Sequence, residues 1–155
     1  MRATIFLVLI VVLLIPAVCA EDALEWYTKG QNAAMAGNHD MAITYFNNAL
    51  ALNPKYPQAL AGKAASLNAK KDYVAALSAA NQALALRAMD PVALNARALA
   101  LFGLTDYDGA AEAYDKLFEV QINNVNAYCN QGYALLRMED YGRSIVAYDR
   151  CTKMD

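Results

Sequence analysis

The feature that most constrains this 155-residue chain is an internal period of 34 residues. The dipeptides Asp72-Tyr73, Asp106-Tyr107 and Asp140-Tyr141 recur at that spacing, and one step earlier the place holds Asn38-His39. Three residues after each ring stands a small residue: Ala42, Ala76, Ala110 or Ser144. Four further on come Phe46, Ala80, Tyr114 and Tyr148, and three more give Ala49, Ala83, Leu117 and Cys151. Upstream, the bulky Trp26, Leu60, Leu94 and Tyr128 are each followed four residues later by Gly30, Ala64, Ala98 or Gly132. No insertion or deletion breaks the register, which divides the chain into units 23–56, 57–90, 91–124 and 125–155. A unit this small cannot bury its apolar face alone, so it must stack on its neighbours.

Each unit carries two apolar stripes at helical spacing, separated by a turn. In the first unit Trp26, Gly30 and Ala33 share a face of one helix, and Ala42, Phe46 and Ala49 share a face of the next. The small side chains at Gly30 and Ala42 let those helices approach closely. Gly37-Asn38 and Thr105-Asp106 mark breaks between helices, where Asn38 and Asp106 are expected to cap the following helix by accepting its free N–H groups. Asn53-Pro54 and Asp90-Pro91 punctuate the joins between units, with Pro91 suited to a first helical position behind an Asp90 cap. Beyond residue 20 the chain is rich in Ala, Leu, Asn and Tyr and poor in Gly, Pro, Val and Thr, which favours helix over strand.

The set Trp26, Gly30, Ala42, Phe46, Ala49 and Pro54 resembles the tetratricopeptide repeat, and the resemblance covers 23–155. Lys29, Lys63, Arg97 and Gln131 stand where that family usually has leucine, and Ala88 and Ile122 replace later prolines. The resemblance implies an all-α, right-handed α-solenoid of four helix-turn-helix repeats, the fourth lacking its last residues and a capping helix. It also implies an inner face built from the first helix of each unit. By register that face presents Tyr27, Gln31, Asn68, Asn95, Phe102, Asn130, Tyr133 and Arg137, with little charge. Amides can bond the backbone of an extended peptide, and rings can anchor its side chains. The implied partner is therefore another polypeptide. Some family members hold a C-terminal carboxylate with Lys, Asn and Arg. The matching places here hold Tyr27, Gln31, Gly62, Val92 and Ala96, so carboxylate capture is not expected.

Other chemistry is sparse. The formal net charge of −2, with no basic arm, argues against nucleic acid as a partner. Lys29, Lys63 and Arg97 form a periodic basic ladder, for which local pairing with helix carboxylates is the expected role. His39, the only histidine, replaces a turn tyrosine and is expected to pack; alone it makes no zinc site. There is no phosphate loop, paired metal-ligand spacing or nucleophile elbow, so no enzyme activity, cofactor or metal is expected. Cys129 and Cys151 fall on the two helices of the last unit; antiparallel helices can bring them together, and two separate small apolar residues are the alternative.

Residues 1–20 follow a different grammar. Arg2, the apolar run Ile5 to Ile15, Pro16 and the small residues before Glu21 read as a secretory signal cut after Ala20. An uncleaved membrane anchor, counted from Ala3 through Ala20, is the alternative. A lipidated Cys19 is disfavoured by Pro16 and Val18. The expected location is exported, with any membrane contact through residues 1–20. Self-association of stacked repeat ends into a surface assembly is the second functional expectation.

Overall fold

The structure, a computed structural model, describes residues 22–154. The expected export segment and Asp155 lie outside the described residues. Among those described there are eight helices and no strand: α1 (Ala23–Met35), α2 (His39–Leu52), α3 (Pro57–Ala69), α4 (Tyr73–Leu86), α5 (Pro91–Gly103), α6 (Tyr107–Val120), α7 (Val125–Arg137) and α8 (Tyr141–Lys153). The first helix of every hairpin has 13 residues and begins 34 residues after the last such helix. The sequence period is thus the period of the fold.

Helix starts are set by caps. The side chains of Asp22, Asp72, Asp106, Asn124 and Asp140 each accept a hydrogen bond from the backbone N–H three residues on. Asp90 accepts two, from Val92 and Ala93, each at 3.0 Å. Each satisfies a donor that the helix itself leaves open. Asn38 corrects the expectation for the first unit: it stands at the cap of α2, but its side chain makes no capping bond. It is exposed, and water can serve the first-turn N–H groups there.

The turn inside each hairpin repeats as closely as the helices do. Gly37, Lys71, Thr105 and Glu139 occupy the same place and all have positive φ, between 63° and 77°. The next residue's N–H then bonds back to the last turn of the helix, as from Asn38 to Ala33 at 2.9 Å and from Asp106 to Leu101 at 3.0 Å. Only the first unit uses glycine. At Thr105 a β-branched residue sits in the left-handed region, which costs about 1–2 kcal/mol. Thr105→Gly should therefore stabilise the chain by roughly 1 kcal/mol after glycine's unfolded-state entropy is subtracted. Thermal melting should show a rise of a few degrees, and an unchanged or lower Tm would count against strain at this turn.

The core is a ladder of layers, each setting one side chain of a second helix between residues of two successive first helices. Phe46, only 1% exposed, packs into Gly30 of its own unit and Gly62 of the next; a Cβ at either glycine would lie 2.6 Å from its ring. The next layer places Ala80 with Ala64 and Ala96, all buried. The third sets the fully buried Tyr114 beside Ala98, with Asn130 near its hydroxyl. Where the central side chain is small, as at Ala80, the first helices close in rather than leave a void.

These layers shape the stack. The first helices of successive hairpins touch along one side: α3 packs closely on α5, while α1 on α3 and α5 on α7 meet more sparingly. The second helices, α2, α4, α6 and α8, keep their backbones apart and meet only through side chains, as Asp115 of α6 and Arg143 of α8 do. The stack therefore bends with α1, α3, α5 and α7 on its inner face. Where the layer holds alanines, α3 and α5 come so close that the Asn68 amide donates to the Ala96 carbonyl at 2.7 Å. Where Tyr114 fills the layer, α5 and α7 stand apart and the inner face widens.

Tyr114 also supplies a test of this packing. Its hydroxyl is buried with no hydrogen-bond partner, since Asn130 approaches it outside bonding geometry. Burial pushes its phenol far above the ordinary value of 10. The folded chain holds that proton while the unfolded chain releases it, so stability is complete below pH 10 and falls as pH rises further. Tyr114→Phe should leave neutral stability unchanged or slightly raised and flatten this alkaline loss. Urea midpoints across the alkaline range would show it; a Tyr114→Phe protein with the same alkaline decline would contradict it.

Candidate functional site

The inner face carries three adjoining pockets. The first, about 120 Å³, is lined by Tyr27, Gln31, Gln58, Ala61, Gly62, Asp90 and Val92. Tyr27 packs against Phe46 and Tyr56, with ring centroids 5.9 and 5.1 Å away, and its hydroxyl accepts from the Gln31 amide at 2.8 Å. Burial, then Tyr56, then Asp90 raise the Tyr27 pKa, so the phenol stays neutral. The carboxylate in this pocket is Asp90. The second pocket, about 300 Å³, is bounded by Met35, His39, Phe46 and Ala65, with Gln31 shared with the first. His39 packs there half-buried, its Nδ1 without a hydrogen-bond partner.

The third stretch runs across α3 and α5 to the edge of α7. A pocket of about 370 Å³ is walled by Ala65, Ala69, Leu99 and Phe102, with Asn68 and Asn130 at its polar edges. Beside it the rings of Phe102, Tyr107 and Tyr133 meet edge to face at 5.5 to 6.1 Å. The Arg137 guanidinium lies 5.2 Å from the Tyr107 ring centre and donates to the Tyr133 hydroxyl at 3.1 Å. The Tyr133 hydrogen bond, then the neighbouring phenols, raise the Arg137 pKa further. The result is a rigid aromatic shelf carrying one cation.

The eight residues read from sequence thus separate into groups. Tyr27 and Gln31 form one end of the face; Phe102, Tyr133 and Arg137 form the shelf; Asn130 edges the third pocket. Asn68 lines that pocket, but its amide N–H is committed to the α3–α5 junction. Asn95 is half-buried on α5. Sequence reasoning missed Tyr73 and Tyr107. Both begin second helices, yet Tyr73 reaches over Gly103 of the next hairpin, and Tyr107 lies against Tyr133 and Arg137. Their 34-residue recurrence, opposite Gly103 and Arg137, was the signal available.

Of the basic ladder, Lys29 pairs with Glu25 at 3.4 Å and lies over Trp26, while the Arg97 Nε is buried. Cys129 and Cys151 are joined as a disulfide across the last hairpin, with Cα atoms 5.3 Å apart. Among the described residues no group of potential ligands is arranged to hold a metal ion, and no helix is long and apolar enough to cross a membrane.

Tetratricopeptide repeat family models match residues 23–56 and 95–151, which together span more than half the chain. The chain is a tetratricopeptide repeat protein. Solved repeat structures share the fold. MamA from Desulfovibrio magneticus RS-1 superposes with a TM-score of 0.76 at 23% identity, over 86% of this chain and 75% of that one. The first TPR of Spaghetti (RPAP3), bound to an HSP90 peptide, superposes with a TM-score of 0.72 at 24% identity, over 76% of this chain and 94% of that one. The Arabidopsis OM64 TPR domain gives 0.69 at 18% identity, over 72% of this chain and 93% of that one. No curated protein sequence matches the chain significantly.

Proposed function

We propose that this tetratricopeptide repeat protein is a non-enzymatic scaffold that holds another polypeptide along its inner face. The observation that carries the reading is the continuity of that face, where three pockets lined by rings, alanines and amides run from Tyr27 to the Tyr107–Tyr133–Arg137 shelf. Such a surface suits an extended segment with apolar side chains, bonded through its backbone and anchored by aromatic residues. A repeat protein of the same fold bound to a peptide supports it. The reading places the protein outside the cytosol, tethered or released according to the fate of residues 1–20. The grammar of that segment and a disulfide suited to oxidising compartments support this placement.

Self-association through the stack's ends is the second reading. It is favoured by α8, where Tyr141 is 58% and Ile145 69% exposed. The buried Ala111 shows what the Ile145 position does when another hairpin follows.

Photo-crosslinking distinguishes the two. A reactive side chain placed at Asn95 or Tyr133 of the full chain should capture a distinct polypeptide, while one at the outward-facing Glu112 should not. Capture of a second copy at Ile145 alone, with nothing at Asn95 or Tyr133, would replace the scaffold reading by the assembly reading.

A further inference from the structure

We infer that the outer side of the last junction is a second binding site, one that takes an acidic segment of polypeptide. A cleft of about 390 Å³ opens there between α6 and α8, whose backbones stay apart and which the Arg143–Asp115 pair bridges, with α7 as its floor. Its apolar part consists of Phe118, Leu135, Ala147 and Val146, the last 56% exposed. Phe118 and Tyr128 stack at 3.9 Å to form a flat wall. Two guanidinium groups, Arg143 and Arg150, enter from α8.

The charges in the cleft are unequal. Asp115 holds Arg143 at 2.6 Å and accepts from the Gln131 amide at 2.7 Å, so that carboxylate and that guanidinium satisfy each other. Asp140 also lies 3.8 Å from Arg143. Arg150 is different: it donates to the Tyr128 hydroxyl at 3.1 Å and lies 5.5 Å from that ring, and among the described residues no carboxylate pairs with it. A guanidinium has five N–H groups in a fork that fits a carboxylate, and Tyr128 occupies one. The cleft therefore presents one uncompensated cation beside an apolar wall.

The sequence builds this cleft only at the last junction. The places of Arg143, Val146 and Arg150 hold Gly109, Glu112 and Lys116 in the third unit and Ala75, Ser78 and Gln82 in the second. The place of Gln131 holds the longer Arg97, whose Nε is buried, and Lys63; Gln131 is shorter and tied to Asp115. A small inorganic anion would use Arg150 and leave Val146 and Phe118 wet. A carboxylate beside an apolar side chain on one polypeptide segment would use both. Lying opposite the inner face, the site would let the scaffold hold two polypeptides at once; this last point rests on the proposed function, while the cleft itself does not.

The test uses the full chain and a labelled peptide, acetylated and amidated, of alternating glutamate and leucine, followed by fluorescence anisotropy. Arg150→Gln should weaken binding about tenfold, the loss expected for one charge-assisted contact. Phe102→Ala on the inner face should leave binding unchanged, and a lysine–leucine peptide should not bind. Circular dichroism of Arg150→Gln should match the parent. Equal binding by the parent and Arg150→Gln, or no binding to the parent, would overturn the inference. Loss in Phe102→Ala alone would move the peptide to the inner face and leave the scaffold reading standing.

Discussion

Phe46→Ala should destabilise the protein by about 3–5 kcal/mol, a large share of the roughly 5–15 kcal/mol that holds most domains folded. Phe46 fills its layer between Gly30 and Gly62, neither of which has a side chain to move into the space. Because each hairpin is held by its neighbours alone, the loss should be local. Hydrogen exchange should rise first in α1, α2 and α3, with α5 and α6 protected. The sign of the coupling is the sharper test. Gly30→Ala and Gly62→Ala should each destabilise the parent, since the added methyl meets the Phe46 ring at 2.6 Å. Joined to Phe46→Ala, the same two changes should restore part of the stability, because the layer then copies the natural Ala64–Ala80–Ala96 layer. Additive losses in the triple variant would show that exchange of volume across the layer is the wrong account.

Reducing the Cys129–Cys151 bridge should cost about 3 kcal/mol, on the chain-entropy scale for a closed loop of 22 residues. The effect should be strongest on α8. That helix packs chiefly on α7, and the bridge ties the two directly. Paired urea titrations with and without reductant would measure the loss. Intact mass must rise by two hydrogen masses on reduction. No mass change would show that the thiols are free, and the stability difference would then have to vanish.

Much of the architecture was written in the period. The 34-residue spacing of Asp72-Tyr73, Asp106-Tyr107 and Asp140-Tyr141 marks the hairpin turns to the residue, and Asp90-Pro91 marks a helix start, because caps and turns depend on nearest neighbours along the chain. The site was legible only in part. Phe102, Tyr133 and Arg137 lie on first helices, and register alone puts them on the inner face. Their joining with Tyr107 depends on how far α5 stands from α7, and that distance follows from the volume of Tyr114 in the layer behind them. A periodic reading treats every junction as equivalent; side-chain volume makes them different. The same reason hid the outer cleft, where Gln131 stands in the place of the longer Arg97. Sequence placed Cys129 and Cys151 on the two helices of one hairpin, which permits a bridge without requiring it. The 5.3 Å between their Cα atoms is a property of the packed pair of helices.

The most direct test of the central claim is the affinity of a groove ligand for shelf variants. A peptide selected from a displayed library on the full chain would be titrated against the parent, Phe102→Ala, Tyr133→Ala and Ile145→Glu. Loss of a buried aromatic anchor costs more than about 1 kcal/mol, so each shelf substitution should weaken binding by roughly tenfold while Ile145→Glu leaves it unchanged. Binding that survives both shelf substitutions and fails in Ile145→Glu would contradict the scaffold account and place recognition at the open end of the stack.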